Sequence, residues 1–225
     1  CEESMHTIAE ACQGIAAIVG TPSLNPGEKG KPLYNAAYVM YDGRVQQQIY
    51  KTLLPTYDIF DEYRYFQPGN NQQIIALNGH RIALTICEDL WNVGDHQLYT
   101  ADPMSELAPY QPDLAINIAA SPFSQSHEED RKEVLQTHAQ SYGIPFLYVN
   151  HIGAQTELIF DGGSCVMDAQ EPPSKISSVW APMWLTYRKG MPYDWVGVCR
   201  SSFRYSSGGC DDGDDAILIA TSVRI

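Results

Sequence analysis

Cys87 stands in Ile86-Cys87-Glu88-Asp89-Leu90-Trp91, directly after the apolar run Arg81-Ile82-Ala83-Leu84-Thr85-Ile86, so a thiol is presented where a short buried strand runs out. Lys51, in Tyr50-Lys51-Thr52-Leu53-Leu54-Pro55, ends another such strand, and Glu62 follows in the turn-rich Phe60-Asp61-Glu62-Tyr63. A cysteine, a lysine and a carboxylate at strand ends are groups that cleave amides. The thiol must become thiolate to attack a carbonyl; a neighbouring cation favours that form, and an ammonium also holds the developing oxyanion. The leaving amine then needs a proton and the incoming water a base, which a carboxylate supplies if burial lifts its pKa toward neutrality. Each residue alone has a plainer reading. Free cysteines are mostly inert packing, Lys51 reads as a solvated strand end, Glu62 as surface, and Glu88 and Asp89 as caps of the next turn. What favours the joint chemistry is that each lies just beyond an apolar run, where catalytic groups collect.

The elements that must position these groups alternate between α and β. Residues 14–20 read as a short apolar strand, followed by a Gly- and Pro-rich loop over 25–32. Strands over 34–41 and 45–50 flank Asp42-Gly43, and strands over 74–77 and 81–86 flank Asn78-Gly79; both dipeptides suit two-residue hairpin turns because they tolerate positive φ. Two hairpins in succession argue for a mixed sheet. Buried strands over 114–119 and 146–149 surround a helix over 128–142 that Gly143 closes, a βαβ unit. Residues 158–160 and 165–167 are expected to pair across Asp161-Gly162-Gly163.

Several long motifs, in order, resemble the nitrilase (carbon-nitrogen hydrolase) superfamily. They are Lys51-x-x-Leu54-Pro55-x-Tyr57-x-x-Phe60-Asp61-Glu62-x-Arg64-Tyr65-Phe66-x-Pro68-Gly69, Ile86-Cys87-Glu88-Asp89-Leu90-Trp91, Asn117-x-x-Ala120-Ser121-Pro122-Phe123 and Phe160-Asp161-Gly162-Gly163-Ser164. Within that superfamily they are similar to the glutaminase domain of glutamine-dependent NAD synthetase, over about residues 14–169. The resemblance implies an α-β-β-α sandwich with the reactive residues on loops at one edge. It implies Cys87 as nucleophile, Lys51 as catalytic lysine and Glu62 as a supporting glutamate. Tyr57 and Phe60 fall near the glutamine pocket, Ser121 at a substrate-contacting position, and the Glu88 N–H beside Lys51 in the oxyanion hole. Six residues after Ser121 the family often has Lys or Arg; here His127 stands there, with Arg131 further on. The family's principal general base lies in a strand before the helix that residues 5–12 resemble. This chain opens at Cys1, so that strand is expected to be missing from an N-terminally truncated domain and turnover to be slow or absent. No cofactor is implied for the glutaminase step; ATP and deamido-NAD belong to the synthetase domain, the implied partner beside glutamine, and the parent is expected to be a homo-oligomer.

Composition agrees with one enzyme-like domain of 225 residues. The net charge of −13, whose whole excess lies in residues 1–170, argues against nucleic-acid binding, because neutralising phosphates takes clustered Lys and Arg. No apolar run approaches the ~20 residues of a membrane span. Six scattered cysteines make no CxxC pair and the six histidines show no metal spacing, so a disulfide framework or metal site is not expected and a reducing cytoplasm suits the free thiol. Residues 171–225 read as an atypical tail, poorly ordered or frame-shifted. They hold Trp180, Trp184 and Trp195 and show no periodicity before 216–223. Ser207-Gly208-Gly209-Cys210-Asp211 resembles a pyrophosphatase phosphate loop but reads better as an acidic, Gly-rich turn, since four aspartates would repel phosphate. The readings that remain are a glutaminase half, a stand-alone hydrolase of another small amide, and an inactive, non-enzymatic remnant.

Overall fold

Strands whose two faces are both apolar need a covering layer on each side. The computed structural model describes residues 1–94, 97–125 and 127–169, together with the backbone of strands at 184–187 and 215–220. Helix α1 (Glu2–Ala11) leads into β1 (Ile15–Leu24), which pairs antiparallel with β2 (Leu33–Tyr41), itself paired antiparallel with β3 (Arg44–Tyr50). After the single turn α2 (Glu62–Tyr65) the chain enters a second sheet, where β4 (Ile74–Leu77) and β5 (His80–Ile86) form a hairpin. Then come α3 (Pro103–Leu107), β6 (Leu114–Ala119), α4 (His127–Tyr142) and β7 (Phe146–Asn150), with β5, β6 and β7 parallel. β8 (Ile152–Gln155) and β9 (Leu158–Asp161) make a separate ribbon, and β10 (Cys165–Met167) runs antiparallel to β7. Finally β11 (Trp184–Tyr187) pairs with β12 (Asp215–Ala220), which lies parallel against β1.

The result is two five-stranded mixed sheets, ordered β11-β12-β1-β2-β3 and β10-β7-β6-β5-β4. Side-chain alternation sorts the core into three layers. Ile18, Val39 and Ile49 of the first sheet meet Leu84, Ile116 and Leu147 of the second. On the outer face of the first sheet, Ala17, Val19 and Tyr38 pack on Met5 and Ala9 of α1. On the outer face of the second, Ala83, Ala115 and Phe146 pack on Met104 and Leu107 of α3 and Leu135 and Ala139 of α4. This is the helix-sheet-sheet-helix sandwich that the resemblance implied.

Both hairpin turns take the expected form: Asp42 and Gly43 have φ of 51° and 75°, Asn78 and Gly79 51° and 80°. The first strand runs on to Leu24 rather than stopping at 20, because Ser23 finds a polar partner in the Tyr38 hydroxyl at 3.0 Å. One expected pairing is corrected. β9 does not pair with β10; it folds back on β8, while β10 joins β7 in the second sheet. A chain reversal at Asp161-Gly162-Gly163 is compatible with either partner, and only the sheet's free edge at β7 selects one. The tail falls outside the described residues except for β11 and β12, as does the Ser207–Asp211 loop.

Candidate active site

Lys51, Glu62 and Cys87 converge on one cleft, whose wall also includes Asn35, Phe60 and the strand-end residues Ile118, Ala119 and Ala120. The space within it is ≈ 390 Å³ with open solvent included, so the reactive side chains stand in a cleft that opens to solvent. Lys51 and Cys87 are delivered by strand ends, whereas Glu62, read from the sequence as a strand-end residue, opens the single turn α2. β3 ends at Tyr50, and Lys51 is then held by its N–H to the Asn35 carbonyl at 2.8 Å, while its own carbonyl accepts from Gly69 N–H at 2.8 Å. Gly69 allows that approach, since a Cβ there would sit 2.5 Å from the Tyr50 carbonyl oxygen.

β5 ends at Ile86, and Cys87 opens a 3-10 turn, Cys87–Leu90, with φ of 47°. That is left-handed backbone in a residue with a side chain, a conformation that costs on the order of 1–3 kcal/mol and persists only where neighbours impose it. Two neighbours do so. Asn117 Nδ2 donates to the Cys87 carbonyl at 3.4 Å and to Thr85 Oγ1 at 2.9 Å. Asp89, 2 % exposed, accepts from Ile86 N–H at 3.0 Å through Oδ2, and from Thr52 and Leu53 N–H at 3.0 and 2.8 Å through Oδ1.

The electrostatics centre on a buried ion pair. Lys51 Nζ donates to Glu62 Oε1 at 2.7 Å, with side chains 1 % and 7 % exposed, and Asn35 Nδ2 donates to the other Glu62 oxygen at 3.2 Å. Burial pulls the Lys51 ammonium down, but Glu62, Cys87 and Asp89 outweigh it and its pKa stands above the ordinary lysine value. Burial pushes the Cys87 thiol up to about 11; Lys51 and a hydrogen bond from the Ala120 backbone pull it down, and Glu62 and Glu88 push it up. The resting group is therefore a thiol, and its proton must leave as the nucleophile attacks. Burial also pushes Asp89 up, to about 6, against its three N–H donors and Lys51, which leaves it ionised at neutral pH.

Beside the nucleophile lies a second, differently satisfied carboxylate. Glu88 is 4 % exposed and accepts from Tyr57 Oη at 2.9 and 3.0 Å and from Tyr99 Oη at 3.0 Å. Among the described residues it has no ion-pair partner within 4.0 Å. Burial raises its pKa, and in turn burial and Glu88 hold Tyr57 and Tyr99 well above the usual phenol range, so both remain donors. Tyr57 meets Phe60, which lines the cleft, edge to face at 5.7 Å.

The remaining expected residues are spread along the wall beyond Ala120. Ser121 is buried, and Asn150 binds its backbone on both sides, accepting from Ser121 N–H at 2.8 Å and donating to its carbonyl at 3.2 Å. His127, at the start of α4, has Nδ1 3.3 Å from the Pro122 carbonyl and its ring 5.7 Å from that of Trp91. Arg131 is 3 % exposed and its donors go inward, to the Gly162 carbonyl at 2.9 Å and Asp161 at 3.4 Å, with the guanidinium over the Tyr148 ring. It ties helix α4 to the Phe160–Ser164 loop, and none of Ser121, His127 or Arg131 lines the cleft around Cys87. Among the described residues no group of three or more His, Cys, Asp or Glu side chains has metal-holding geometry.

Asp89, Tyr99 and Asn150 were not singled out by the sequence. Asp89 and Asn150 each close an apolar strand with a small polar side chain, the one local signal available. Tyr99 had none, since its contact depends on a loop that Asn92 closes by binding the Tyr99 N–H and the Tyr99 and Ala101 carbonyls.

Comparison with known proteins bears on the family and the fold. A carbon-nitrogen hydrolase family model matches residues 3–170. A glutamine-dependent NAD(+) synthetase from Synechocystis is 36% identical over 176 residues, 75% of this chain and 32% of the relative. The structure of glutamine-dependent NAD+ synthetase from Acinetobacter baumannii in complex with ADP superposes with a TM-score of 0.67 at 30% identity, covering 77% of this chain and 31% of that one. At 23% identity, a mutant of the amidase from Nesterenkonia sp. AN1, with the acetamide moiety of fluoroacetamide added covalently at its active-site cysteine, shares the fold, with a TM-score of 0.59 over 76% of this chain and 59% of the amidase. The chain spans about a third of the length of the synthetases it matches.

Proposed function

The chain belongs to the carbon-nitrogen hydrolase family, and from that premise we propose that it is a glutamine amidohydrolase, the ammonia-releasing part of a glutamine-dependent NAD synthetase. The observation that carries the choice of glutamine is Glu88. Among the described residues this carboxylate, buried beside Cys87, is met only by neutral hydroxyls and lacks the cation that burial calls for. A substrate that brings an ammonium to Glu88 and a carboxamide to Cys87 supplies it, and glutamine carries both. Phe60, on the cleft wall, and Tyr57, packed edge to face against it, are assigned to its aliphatic part, while Ser121 and His127 lie outside the cleft lining.

In this reading the Cys87 sulfur attacks the side-chain amide carbon as its proton passes to Glu62, which later gives it to the leaving nitrogen. The oxyanion is held by the Lys51 ammonium, which Glu62 keeps charged and aimed, and by the Glu88 N–H. The tetrahedral centre collapses with the C–N bond breaking, the nitrogen takes a proton, and ammonia departs from a glutamyl thioester. Water then adds to that thioester, releasing glutamate and restoring the thiol. Among the described residues Glu62 is the carboxylate on the cleft wall, and proton transfer to nitrogen and from water is assigned to it. The step uses no cofactor. The ammonia would go to a synthetase domain that uses ATP and deamido-NAD, within a homo-oligomeric parent in the reducing cytoplasm. The similarity to chains named NAD(+) synthetase supports that setting, and no helix among the described residues is long and apolar enough to cross a membrane.

Two measurements test the reading. Ammonia release from glutamine should be abolished by Cys87→Ala, a fall of about 10⁴-fold or more. Labelling of Cys87 by a glutamine-shaped diazoketone, read by mass spectrometry, should outpace labelling by the same reagent without its amino group by about tenfold or more. Equal labelling by the two reagents would remove glutamine and leave a hydrolase of another small amide; no labelling of a folded chain would remove the enzyme.

A further inference from the structure

We infer that Asp89 is a positioning residue that locks the nucleophile and the catalytic lysine into one rigid unit. Its carboxylate is bonded to the backbone on both sides of the cleft. Oδ2 takes the N–H of Ile86, the residue before Cys87, and Oδ1 takes the N–H groups of Thr52 and Leu53, the two residues after Lys51. Ile86 is the last residue of β5, and Thr52 and Leu53 lie just beyond the end of β3, so the bonds reach two different sheets. β3, which delivers Lys51, lies at the edge of the first sheet, and β5, which delivers Cys87, lies in the second. The apolar contact between sheets fixes their spacing but not their sliding, because a hydrophobic face is not directional. Three hydrogen bonds of 2.8–3.0 Å to one buried carboxylate are directional, and charge-assisted ones are about twice as strong as neutral ones.

The same contacts explain how Cys87 holds its left-handed backbone. With the Ile86 N–H drawn to Oδ2 and the Cys87 carbonyl held by Asn117, the backbone is pinned at the peptide before Ile86 and at the peptide after Cys87, which brackets the left-handed residue. Lys51 is pinned likewise by Asn35, Gly69 and the two amides bonded to Asp89. An amide in place of the carboxylate cannot reproduce this. Whichever way it is turned, its NH₂ meets at least one of the three N–H donors.

The inference rests on Cys87 and Lys51 acting together but not on which amide is cleaved, so its test uses no substrate. Rates of Cys87 alkylation by iodoacetamide are compared in the wild-type chain, Asp89→Asn, Lys51→Met and the double variant. Asp89→Asn should slow labelling by about tenfold, and in the double variant should add nothing to the loss from Lys51→Met. Deleting a negative charge near a thiol by itself favours thiolate and speeds labelling, so slowing isolates geometry. A lowered melting temperature with wild-type labelling, or losses that multiply in the double variant, overturns the assignment. Should Asp89→Asn fail to fold, hydrogen exchange in the wild-type chain decides. The Thr52 and Leu53 amides, which lie outside any strand, should be protected as strongly as those of β6, and exchange at open-loop rates overturns it.

Discussion

Two buried carboxylates border the nucleophile, and they are neutralised in opposite ways. On the floor, Glu62 is closed by a cation of the protein, Lys51 at 2.7 Å, and by the Asn35 amide. On the rim, Glu88 is equally buried but, among the described residues, is met only by the hydroxyls of Tyr57 and Tyr99. The floor is complete in itself and can hold a geometry. The rim is short of one positive charge, which is the condition of a site that waits for a ligand. Catalysis and recognition thus rest on the same physical requirement, that a buried charge be paired, met within the fold in one case and left to the substrate in the other.

The largest effect should come from breaking the floor. Lys51→Met strands Glu62 as an uncompensated buried charge and should cost about 3–5 kcal/mol in urea unfolding, besides abolishing amide cleavage. A cost near zero would mean that Glu62 is solvated or protonated and the pair does not hold the cleft.

The floor also sets the pH response of the nucleophile. With the thiol pushed up to about 11, chiefly by burial, alkylation of Cys87 should climb roughly tenfold per pH unit from 7 to 10, with no plateau near neutrality. The linked effect on stability has a definite sign. Below the ~8.5 of an unfolded thiol the contribution of this group is fully present, and it is lost as pH rises through about 11, because the unfolded chain releases a proton that the folded one keeps. A plateau in labelling below pH 8 would show that Lys51 outweighs burial.

Breaking the rim should separate binding from stability. Glu88→Gln should raise KM for glutamine by about 10- to 100-fold while leaving that for the deaminated amide within a few-fold, and should leave the urea midpoint unchanged or higher because a buried charge is removed. A stability loss like that of Lys51→Met would erase the contrast between floor and rim. Tyr99→Phe removes one of the hydroxyls that hold Glu88 and should show the smallest effect, a few-fold rise in the same KM.

Much of the framework was legible in the chain. Asp42-Gly43 and Asn78-Gly79 announce their hairpins because few other dipeptides take positive φ twice, and β6 occupies 114–119 as read because a short, mostly apolar run interrupted only by Asn117 suits a buried strand. Cys87, Lys51 and Glu62 were legible as strand-end residues, and the motifs around them as a family pattern. The mispairing of 158–160 with 165–167 marks the limit of such reading. Turn chemistry says that the chain reverses but not which edge it meets next. Asp89 marks it more sharply, for a carboxylate two residues after a cysteine reads as a cap, and its bonds to Thr52 and Leu53 exist only once two sheets have been stacked.

By itself the sequence determined the reactive residue types, the strand and turn positions, and the alternation that demands layers on both faces of each sheet. Those follow from local backbone sterics and from the period of side-chain burial, which short stretches of chain carry in full. Only the tertiary structure decided how each charge is satisfied. It closed Glu62 on Lys51, left Glu88 to hydroxyls, turned Arg131 inward to Asp161 and Gly162, and set Asp89 astride the two strands that carry the nucleophile and its lysine. These are pairings between residues distant in the chain, and their energies depend on burial that exists only after the sheets have packed.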